Sequence, residues 1–180
     1  MSVGSPAQQG RRRNGGGTMR FFIHCLAIAL GLASAGAASA QDKMLDLSKP
    51  SNVASALMAA GYKAVLKQNS RNEPYILSSS NGTDFTIEFY GCKGQSDCGS
   101  YQFTSWYKPD PLFTVAFANE WNVAKRFLKV AIDKDGNLNE YMDFTAVGTI
   151  SQQNFADIVD WYKVMDAELA KFIDGKRPAK

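Results

Sequence analysis

Alternating apolar and polar residues predict a series of short strands along the middle of the chain. In the clearest run, Phe85, Ile87 and Phe89 alternate with polar residues, which is typical of a strand with one buried face. The other predicted strands are 62–68, 75–79, 100–107, 126–133 and 138–147. Turn-forming residues separate the strands, and Asn81-Gly82 in particular fits a type I′ hairpin. The pattern therefore predicts an antiparallel sheet built from hairpins.

Three other segments have apolar residues at the helical spacing of about 3.6 residues. The first predicted helix has Ser48 or Ser51 as its N-cap and ends at Gly61, the second begins at about Leu112, and the third follows Ser151 as its N-cap and ends at Gly175. The apolar face of the third helix is formed by Phe155, Ile158, Val159, Tyr162, Met165, Leu169 and Phe172. Together these elements predict an α+β fold, in which three helices pack on an antiparallel sheet of about six strands.

The first forty residues have the pattern of a secretory signal peptide. Arg20 precedes an apolar run that ends in the small-residue triplet Ala38-Ser39-Ala40. We therefore expect cleavage after Ala40 and a periplasmic or secreted mature protein that comprises residues 41–180. Met19 is the preferred initiator, because it places the positive charge directly ahead of the apolar run. An uncleaved anchor is the alternative, but about 16 apolar residues are too few to span a bilayer, so we expect no stable membrane insertion.

Removal of the signal peptide changes the charge balance of the chain. Of the 20 basic residues, the four arginines of residues 1–40 are lost, which leaves 16 basic residues against 17 acidic ones. The mature protein therefore has a net charge of −1 instead of the +3 of the whole chain. Since it also has no cluster of lysine and arginine, we expect it not to bind nucleic acid.

The mature chain has two cysteines and no histidine, because His24 and Cys25 belong to the predicted signal peptide. It therefore offers no nucleophile activated by histidine and no histidine-based zinc site. Cys92 and Cys98 are six residues apart, a spacing that fits neither a zinc motif nor a thioredoxin motif. In an exported protein we expect them to form a structural disulfide that closes the hairpin, with a redox-active pair as the alternative.

Acidic residues at alternate positions of the turn that begins at Asp133 resemble the start of a calcium-binding loop. Gly136 is the fourth residue of that segment, whereas an EF-hand loop needs glycine at the sixth position. A hairpin turn rich in Asp, Gly and Asn accounts for the same residues. We therefore predict a turn here, and no metal or cofactor.

Several short motifs, taken in order, resemble the YbjN family. They are Tyr90-Gly91-Cys92 with Cys98, Asn119-Glu120-Trp121-Asn122, and Arg126-Phe127. The resemblance spans about Ser51 to Phe172 and implies a single YbjN-like domain over residues 41–180. Members of this family are described as bacterial sensory transduction regulators, and their fold is similar to that of type III secretion chaperones, a twisted antiparallel sheet with helices packed on it. The resemblance brings no catalytic residues.

The aromatic residues of the mature chain outnumber those that a small core can hold at its centre, so some are expected on a contact surface. Trp161 lies off the apolar stripe of the last helix, and Asn119 and Asn122 flank Trp121 although asparagine is a poor helix former. Together with Trp106, these four residues are the candidate binding surface. The alternatives are rings that cover the edge of a core, and asparagines that end the helix or bond to a strand. For Trp121 the alternative is the core itself, because this ring lies on the apolar face of the second predicted helix.

Three classes of function remain open. The first is a non-enzymatic exported binding or regulatory protein, chaperone-like, that holds an unknown protein partner or self-associates, for example as a homodimer. The second is a periplasmic small-ligand-binding protein with its pocket between sheet and helices. The third is a hydrolase that works without histidine, which fits worst because no nucleophile, metal site or phosphate-binding loop is visible.

Overall fold

Six antiparallel strands form the main sheet of the protein, and two short strands form a second sheet. A computed structural model describes residues 42–80 and 82–178. In chain order the elements of these residues are β1 Met44–Asp46, α1 Pro50–Ala59, β2 Val65–Gln68, β3 Pro74–Ser80, β4 Thr83–Tyr90, β5 Ser100–Tyr107, α2 Val115–Ala124, β6 Lys129–Ile132, β7 Leu138–Thr145, β8 Thr149–Ser151 and α3 Gln152–Lys176. The predicted α+β class is confirmed, with three helices and a six-stranded antiparallel sheet in the described part of the chain.

The strands of the main sheet follow the order β2-β3-β4-β5-β7-β6, and β1 pairs with β8 in the second sheet. The register of the main sheet decides which side chains share a face. Ile87 on β4 lies opposite Phe103 on β5, and Phe103 lies opposite Met142 on β7. Because side chains alternate along each strand, these three residues point to the same side of the sheet.

The core lies between this side of the sheet and the helices. Ile76, Ile87 and Phe103 have no exposed surface. The ring centroids of Phe85 and Phe103 lie 5.0 and 5.1 Å from that of Tyr162 on α3. α1 packs against β2, β3 and α3, and α2 packs against β6. The helices are therefore held on the sheet mainly by aromatic and aliphatic burial, which is the main favourable contribution to folding.

The predicted hairpin closed by a disulfide is present. β4 and β5 pair in antiparallel register, and Cys92 and Cys98, in the loop that connects them, are bonded to each other. The backbone N–H of Cys98 donates to the carbonyl oxygen of Ser48 at 2.9 Å. The disulfide loop is therefore tied to the segment directly ahead of α1.

The start of α1 differs from the prediction. Lys49 is the N-cap, not Ser48 or Ser51, and its side chain makes no capping hydrogen bond. Pro50 occupies the first helical position, where the missing N–H is not needed by the helix. The hydroxyl of Ser48 instead donates to Asp46 Oδ1 at 2.6 Å and so stabilises the turn between β1 and α1.

The other two helices begin with hydrogen-bonded caps. α2 starts at Val115 and not at Leu112, because Thr114 accepts the backbone N–H of Phe117 on its Oγ1 at 3.2 Å. At α3 the predicted cap is confirmed, since the side chain of Ser151 accepts a backbone N–H from the first turn. Both caps satisfy amide donors that have no partner inside the helix.

Three strands are shorter than predicted, and two others are not predicted by the sequence pattern. β2 starts at Val65 and not at 62, β6 starts at Lys129 and not at 126, and β7 ends at Thr145 and not at 147. Phe127 has a φ of +62°, a left-handed conformation that cannot continue a strand. β1 and β8 contain three residues each, which is too short for an alternating pattern to stand out.

Some sequence predictions fall outside the described residues. They concern the signal peptide of residues 1–40 with its cleavage after Ala40, and Asn81 of the predicted hairpin turn. Export to the periplasm or beyond therefore stays a prediction. Among residues 42–80 and 82–178, none of the helices combines the length and hydrophobicity that a membrane crossing requires.

Candidate functional site

The side of the six-stranded sheet that faces away from the helices is open to solvent. Along β5, Tyr101 and Phe103 are buried, whereas the alternate residues Gln102, Thr104 and Trp106 are half-buried or exposed. The neighbouring strands repeat this alternation. One continuous row across the sheet is formed by Val65, Leu77, Thr86, Thr104, Tyr141 and Lys129. We call the outward side of these six strands the open sheet face.

Trp106 lies on the open sheet face, and 58% of its surface is accessible. It borders a shallow groove of about 750 Å³. The lining of this groove includes Leu77, Asp84, Thr86, Thr104, Trp106, Lys108 and Asn139. The groove therefore offers an aromatic ring and an aliphatic side chain next to hydroxyl, amide and charged groups, a combination that is found in protein interfaces.

The other half of the open sheet face is occupied by hydrogen bonds between its own side chains. The hydroxyl of Tyr90 donates to Glu88 Oε2 at 2.6 Å, and the side-chain amide of Gln102 donates to Asp143 Oδ1 at 2.7 Å. Partial burial raises the pKa of the Tyr90 hydroxyl, and the hydrogen bond to Glu88 adds a smaller rise. These polar groups already have partners within the protein, whereas the Trp106 ring extends into solvent.

A second exposed aromatic pair lies on the helix layer. Trp161 on α3 is 41% exposed and Phe127, in the loop after α2, is 39% exposed. Their ring centroids are 4.0 Å apart, and the guanidinium carbon of Arg126 lies 4.7 Å from the centroid of the Phe127 ring. Val164, one turn further along α3, is half exposed. We call these four residues the helical patch.

A pair of carboxyl groups is buried between the sheet and α3. Glu140 on β7 has no exposed surface, and Asp166 on α3 is also buried. The hydroxyl of Tyr162 donates to Glu140 Oε1 at 2.7 Å, and the hydroxyl of Tyr107 lies 3.5 Å from Asp166 Oδ1. Glu140 Oε2 has no hydrogen-bond partner among the described residues.

Burial dominates the ionisation of this pair. It raises the pKa of Glu140 to about 7, and the nearby Asp166 adds to this rise while the bond from Tyr162 opposes it. Burial also raises the pKa of Asp166, against the hydrogen bond from Tyr107. Because Glu140 is fully enclosed, a substrate cannot reach its carboxyl group unless α3 moves away from the sheet. The pair is therefore a structural feature of the core in this conformation.

Sequence reasoning did not single out these carboxyl groups, although a signal was present. Glu140 lies two residues after Leu138 and two before Met142, so all three share the buried side of their strand. Asp166 lies four residues after Tyr162 and three before Leu169, on the apolar stripe of the last helix. An acidic residue at an inward position of an otherwise apolar pattern is the signal that could have found both.

Trp121 does not belong to a binding surface. It is 0% exposed, and its indole N–H donates to the carbonyl oxygen of Leu128 at 3.1 Å. Asn122 bonds across to β6: its side-chain amide donates to the carbonyl of Val130, and its Oδ1 accepts the N–H of Val130, both at 2.9 Å. These contacts fasten α2 to the edge strand, which corrects the prediction that Trp121 is a surface contact.

The remaining candidates are exposed but lie apart. Asn119 is exposed on α2, Trp106 belongs to the open sheet face, and Trp161 belongs to the helical patch. Sheet and helix layer face opposite directions, so these residues do not form one surface. The structure therefore places the two exposed tryptophans of the predicted surface in two separate areas.

The turn after β6 is organised by its own hydrogen bonds. Asp133 accepts the backbone N–H groups of Asp135 and Asn137 at 2.9 Å, and it accepts the side-chain amides of Asn137 and Asn139. These bonds lower the pKa of Asp133 to about 2. Within the described ranges, no group of three or more Asp, Glu, Cys or His side chains is placed to hold a metal ion.

Comparison with known proteins gives one result. The sequence model of the YbjN family, which carries the description "Putative bacterial sensory transduction regulator", matches residues 49–168. The matched segment begins just ahead of α1, covers the whole six-stranded sheet and ends inside α3. No curated protein and no solved structure matches the chain, so the predicted likeness to type III secretion chaperones stays a prediction.

Proposed function

The chain belongs to the YbjN family, and from this premise we propose that it is an exported, non-enzymatic binding protein that holds a protein partner on its open sheet face. The observation that carries the proposal is Trp106, which projects into solvent beside a groove of about 750 Å³. A single exposed tryptophan is a strong anchor in interfaces, because its large ring is desolvated on binding while its N–H finds a partner.

The chemistry of the groove fits a polypeptide better than a charged metabolite. Leu77 and Trp106 offer apolar surface, and Thr86 and Thr104 offer hydroxyl groups. The charged groups of the lining are Asp84, Glu88 and Lys108. Such a mixture complements the apolar side chains and the polar backbone of a protein partner. It does not concentrate the positive charge that phosphate or nucleic acid requires.

Two features support the exported location. The first forty residues have the charge, apolar run and small-residue ending of a signal peptide. The disulfide between Cys92 and Cys98 is of the kind that persists in oxidising compartments such as the bacterial periplasm. A periplasmic or secreted protein that senses or holds a partner outside the cytoplasm combines these features with the regulatory description of the family.

A small ligand is the second candidate occupant. The volume of the groove lies within the range of about 300–1,000 Å³ that is common for ligand sites. Its place would be the open sheet face and not the space between sheet and helices, because Phe103, Tyr162 and their neighbours fill that space. The groove is shallow and exposed, which favours a partner that brings its own covering surface.

The test is native mass spectrometry of the protein purified gently from the periplasm, followed by a denatured intact mass. We expect a mature chain that starts at Gln41, with the two cysteines oxidised, in complex with another polypeptide. A photo-crosslinking amino acid in place of Thr104, which lines the groove, should attach that polypeptide to the open sheet face.

The variant Trp106→Ala should lose the partner, whereas Trp161→Ala, which removes an exposed tryptophan from the helix layer, should keep it. Retention of the partner by Trp106→Ala would contradict the proposed site. A chain that carries only a small non-covalent adduct would support the ligand-binding alternative. A mass that still includes residues 1–40 would contradict export with cleavage.

A further inference from the structure

The helical patch has features that a simple connection between α2 and β6 does not require. Phe127 has a φ of +62°, a conformation that is rare for a bulky side chain and that a glycine or asparagine would adopt more easily. Bonds to the residues that follow it hold it there: the indole N–H of Trp121 donates to the carbonyl of Leu128, and the side chain of Asn122 bonds to both backbone groups of Val130. The strained backbone presents the Phe127 ring at the surface, beside Trp161.

Charges without partners lie next to this apolar centre. Arg126 is exposed, and no carboxylate in the described part of the chain lies within ion-pair distance of its guanidinium group. Asp157 is exposed on α3, four residues or about one turn before Trp161, and it likewise makes no ion pair with a described residue. The patch thus has a free cation and a free anion near one aromatic pair.

The order of these groups along α3 follows from two contacts. Lys125 Nζ lies 3.3 Å from Glu168 Oε2, whereas Phe127 contacts Trp161, seven residues earlier in the helix. The segment 125–127 therefore runs antiparallel to α3. Arg126, between these two contacts, lies on the C-terminal side of Trp161, and Asp157 lies on its N-terminal side.

This order is self-complementary. A two-fold axis that passes near Trp161, perpendicular to α3, places the two copies of α3 antiparallel. The Arg126 of each copy then faces the Asp157 of the other copy, which gives two equivalent charge pairs. Contacts related by such an axis use the same residues on both subunits, which is the usual geometry of homodimers. A partner with a different surface would need to match the apolar centre and both charges separately.

We propose that the helical patch is the interface of a homodimer, in which a second copy of this chain lies antiparallel along α3. The rings of Phe127 and Trp161 with Val164 form its apolar centre, and Arg126 forms an ion pair with Asp157 of the second copy on either side. The interface leaves the open sheet face of both copies free. It therefore does not depend on the function proposed for that face.

The test is analytical ultracentrifugation of the purified protein and of charge variants. We expect a dimer for the unmodified chain. Arg126→Asp and Asp157→Arg should each weaken dimerisation by about tenfold or more, because each places like charges opposite each other. The double variant R126D/D157R exchanges the two charges and should restore the dimer. If the single variants weakened the dimer only by disturbing the fold of each chain, the double variant would not restore it.

Further variants separate the two surfaces and the possible occupants. Trp161→Ala should weaken the dimer, whereas Trp106→Ala should leave its dissociation constant unchanged. A monomer at every concentration tested, or a dimer that the single charge variants do not weaken, would overturn the proposal. Binding of a different protein to the helical patch in place of the second copy, shown by loss of that complex in Trp161→Ala, would also overturn it.

Discussion

The hydroxyl of Tyr162 on α3 donates a 2.7 Å hydrogen bond to Glu140 Oε1 on β7, inside a core with no access to solvent. The bond joins the longest helix to the sheet, and it does so through an ionisable group. Burial, with Asp166 close by, raises the pKa of Glu140 from 4.5 to about 7, so the neutral carboxylic acid is the favoured form of this group below about pH 7. The attachment of α3 to the sheet is therefore linked to pH.

The first prediction concerns the pH dependence of stability. Between pH 4.5 and about 7 the folded protein keeps a proton on Glu140 that the unfolded chain releases. The free energy of unfolding should therefore fall as pH rises through this window, by about 3 kcal/mol from this group alone. In Glu140→Gln, which stays neutral and still accepts the Tyr162 hydroxyl, the part of this fall that Glu140 causes should disappear. Urea unfolding at a series of pH values measures the slope.

A matched variant controls for the loss of a negative charge. Asp174→Asn removes an exposed carboxylate from α3, away from the helical patch, and should leave the slope unchanged. Burial also raises the pKa of Asp166, so a smaller fall in the same direction should remain in Glu140→Gln. If the unmodified protein were as stable at about pH 8 as at about pH 5, the link between α3 and the protonation of Glu140 would be refuted.

The second prediction compares the two asparagines of α2. Asn122→Ala removes both hydrogen bonds to the backbone of Val130, so the free energy of unfolding should drop by about 1–3 kcal/mol. Asn119→Ala, at an exposed position of the same helix, should change it by no more than about 0.5 kcal/mol. Chemical denaturation compares the two. Equal effects would mean that helix propensity, and not the contact with β6, decides the cost.

The third prediction concerns the disulfide. Alkylation of the purified protein without reductant should label neither Cys92 nor Cys98, and peptide mapping identifies each site separately. Replacement of both by serine should lower the free energy of unfolding by about 2 kcal/mol, because the closed loop is short and restricts the unfolded chain only modestly. Labelling of both cysteines in the unreduced protein would show that the bond does not form in solution.

The fourth prediction tests two serines that the sequence offers equally as helix caps. Ser151→Ala removes the acceptor of the Asn154 N–H and should cost about 1 kcal/mol, with faster hydrogen exchange in the first turn of α3. Ser51→Ala should have almost no effect, since Lys49 is the N-cap of α1 and Ser51 lies inside the helix. A cost at Ser51 equal to that at Ser151 would contradict this assignment.

Local patterns predict most of this fold correctly. The β4–β5 hairpin, the disulfide at its end and the cap of α3 each depend on residues that are close in sequence. The pairing of β1 with β8 is different, because it joins Met44 to Ser151 across more than a hundred residues and leaves no local pattern. The α+β class could therefore be predicted, whereas the second sheet could not.

The candidate site could be predicted only in part. Trp106 and Trp161 are exposed as expected. Trp121 lies in the core, as its place on the apolar face of the second helix indicated, but its hydrogen bond to the carbonyl of Leu128 could not be predicted. The conformation of Phe127 is also invisible in the sequence, because it is imposed by the bonds that hold its neighbours. Burial of polar groups and backbone strain are decided by tertiary contacts, and a single sequence shows neither.

The distribution of the three tryptophans gives the protein a set of built-in optical reporters. Trp121 is enclosed and hydrogen-bonded, so its emission should be blue-shifted and should respond to unfolding of the core. Trp106 and Trp161 are exposed on opposite layers, and each should emit at longer wavelength. Three variants that keep one tryptophan each would therefore follow events at the sheet, on the helices and in the interior as separate signals from an unlabelled chain.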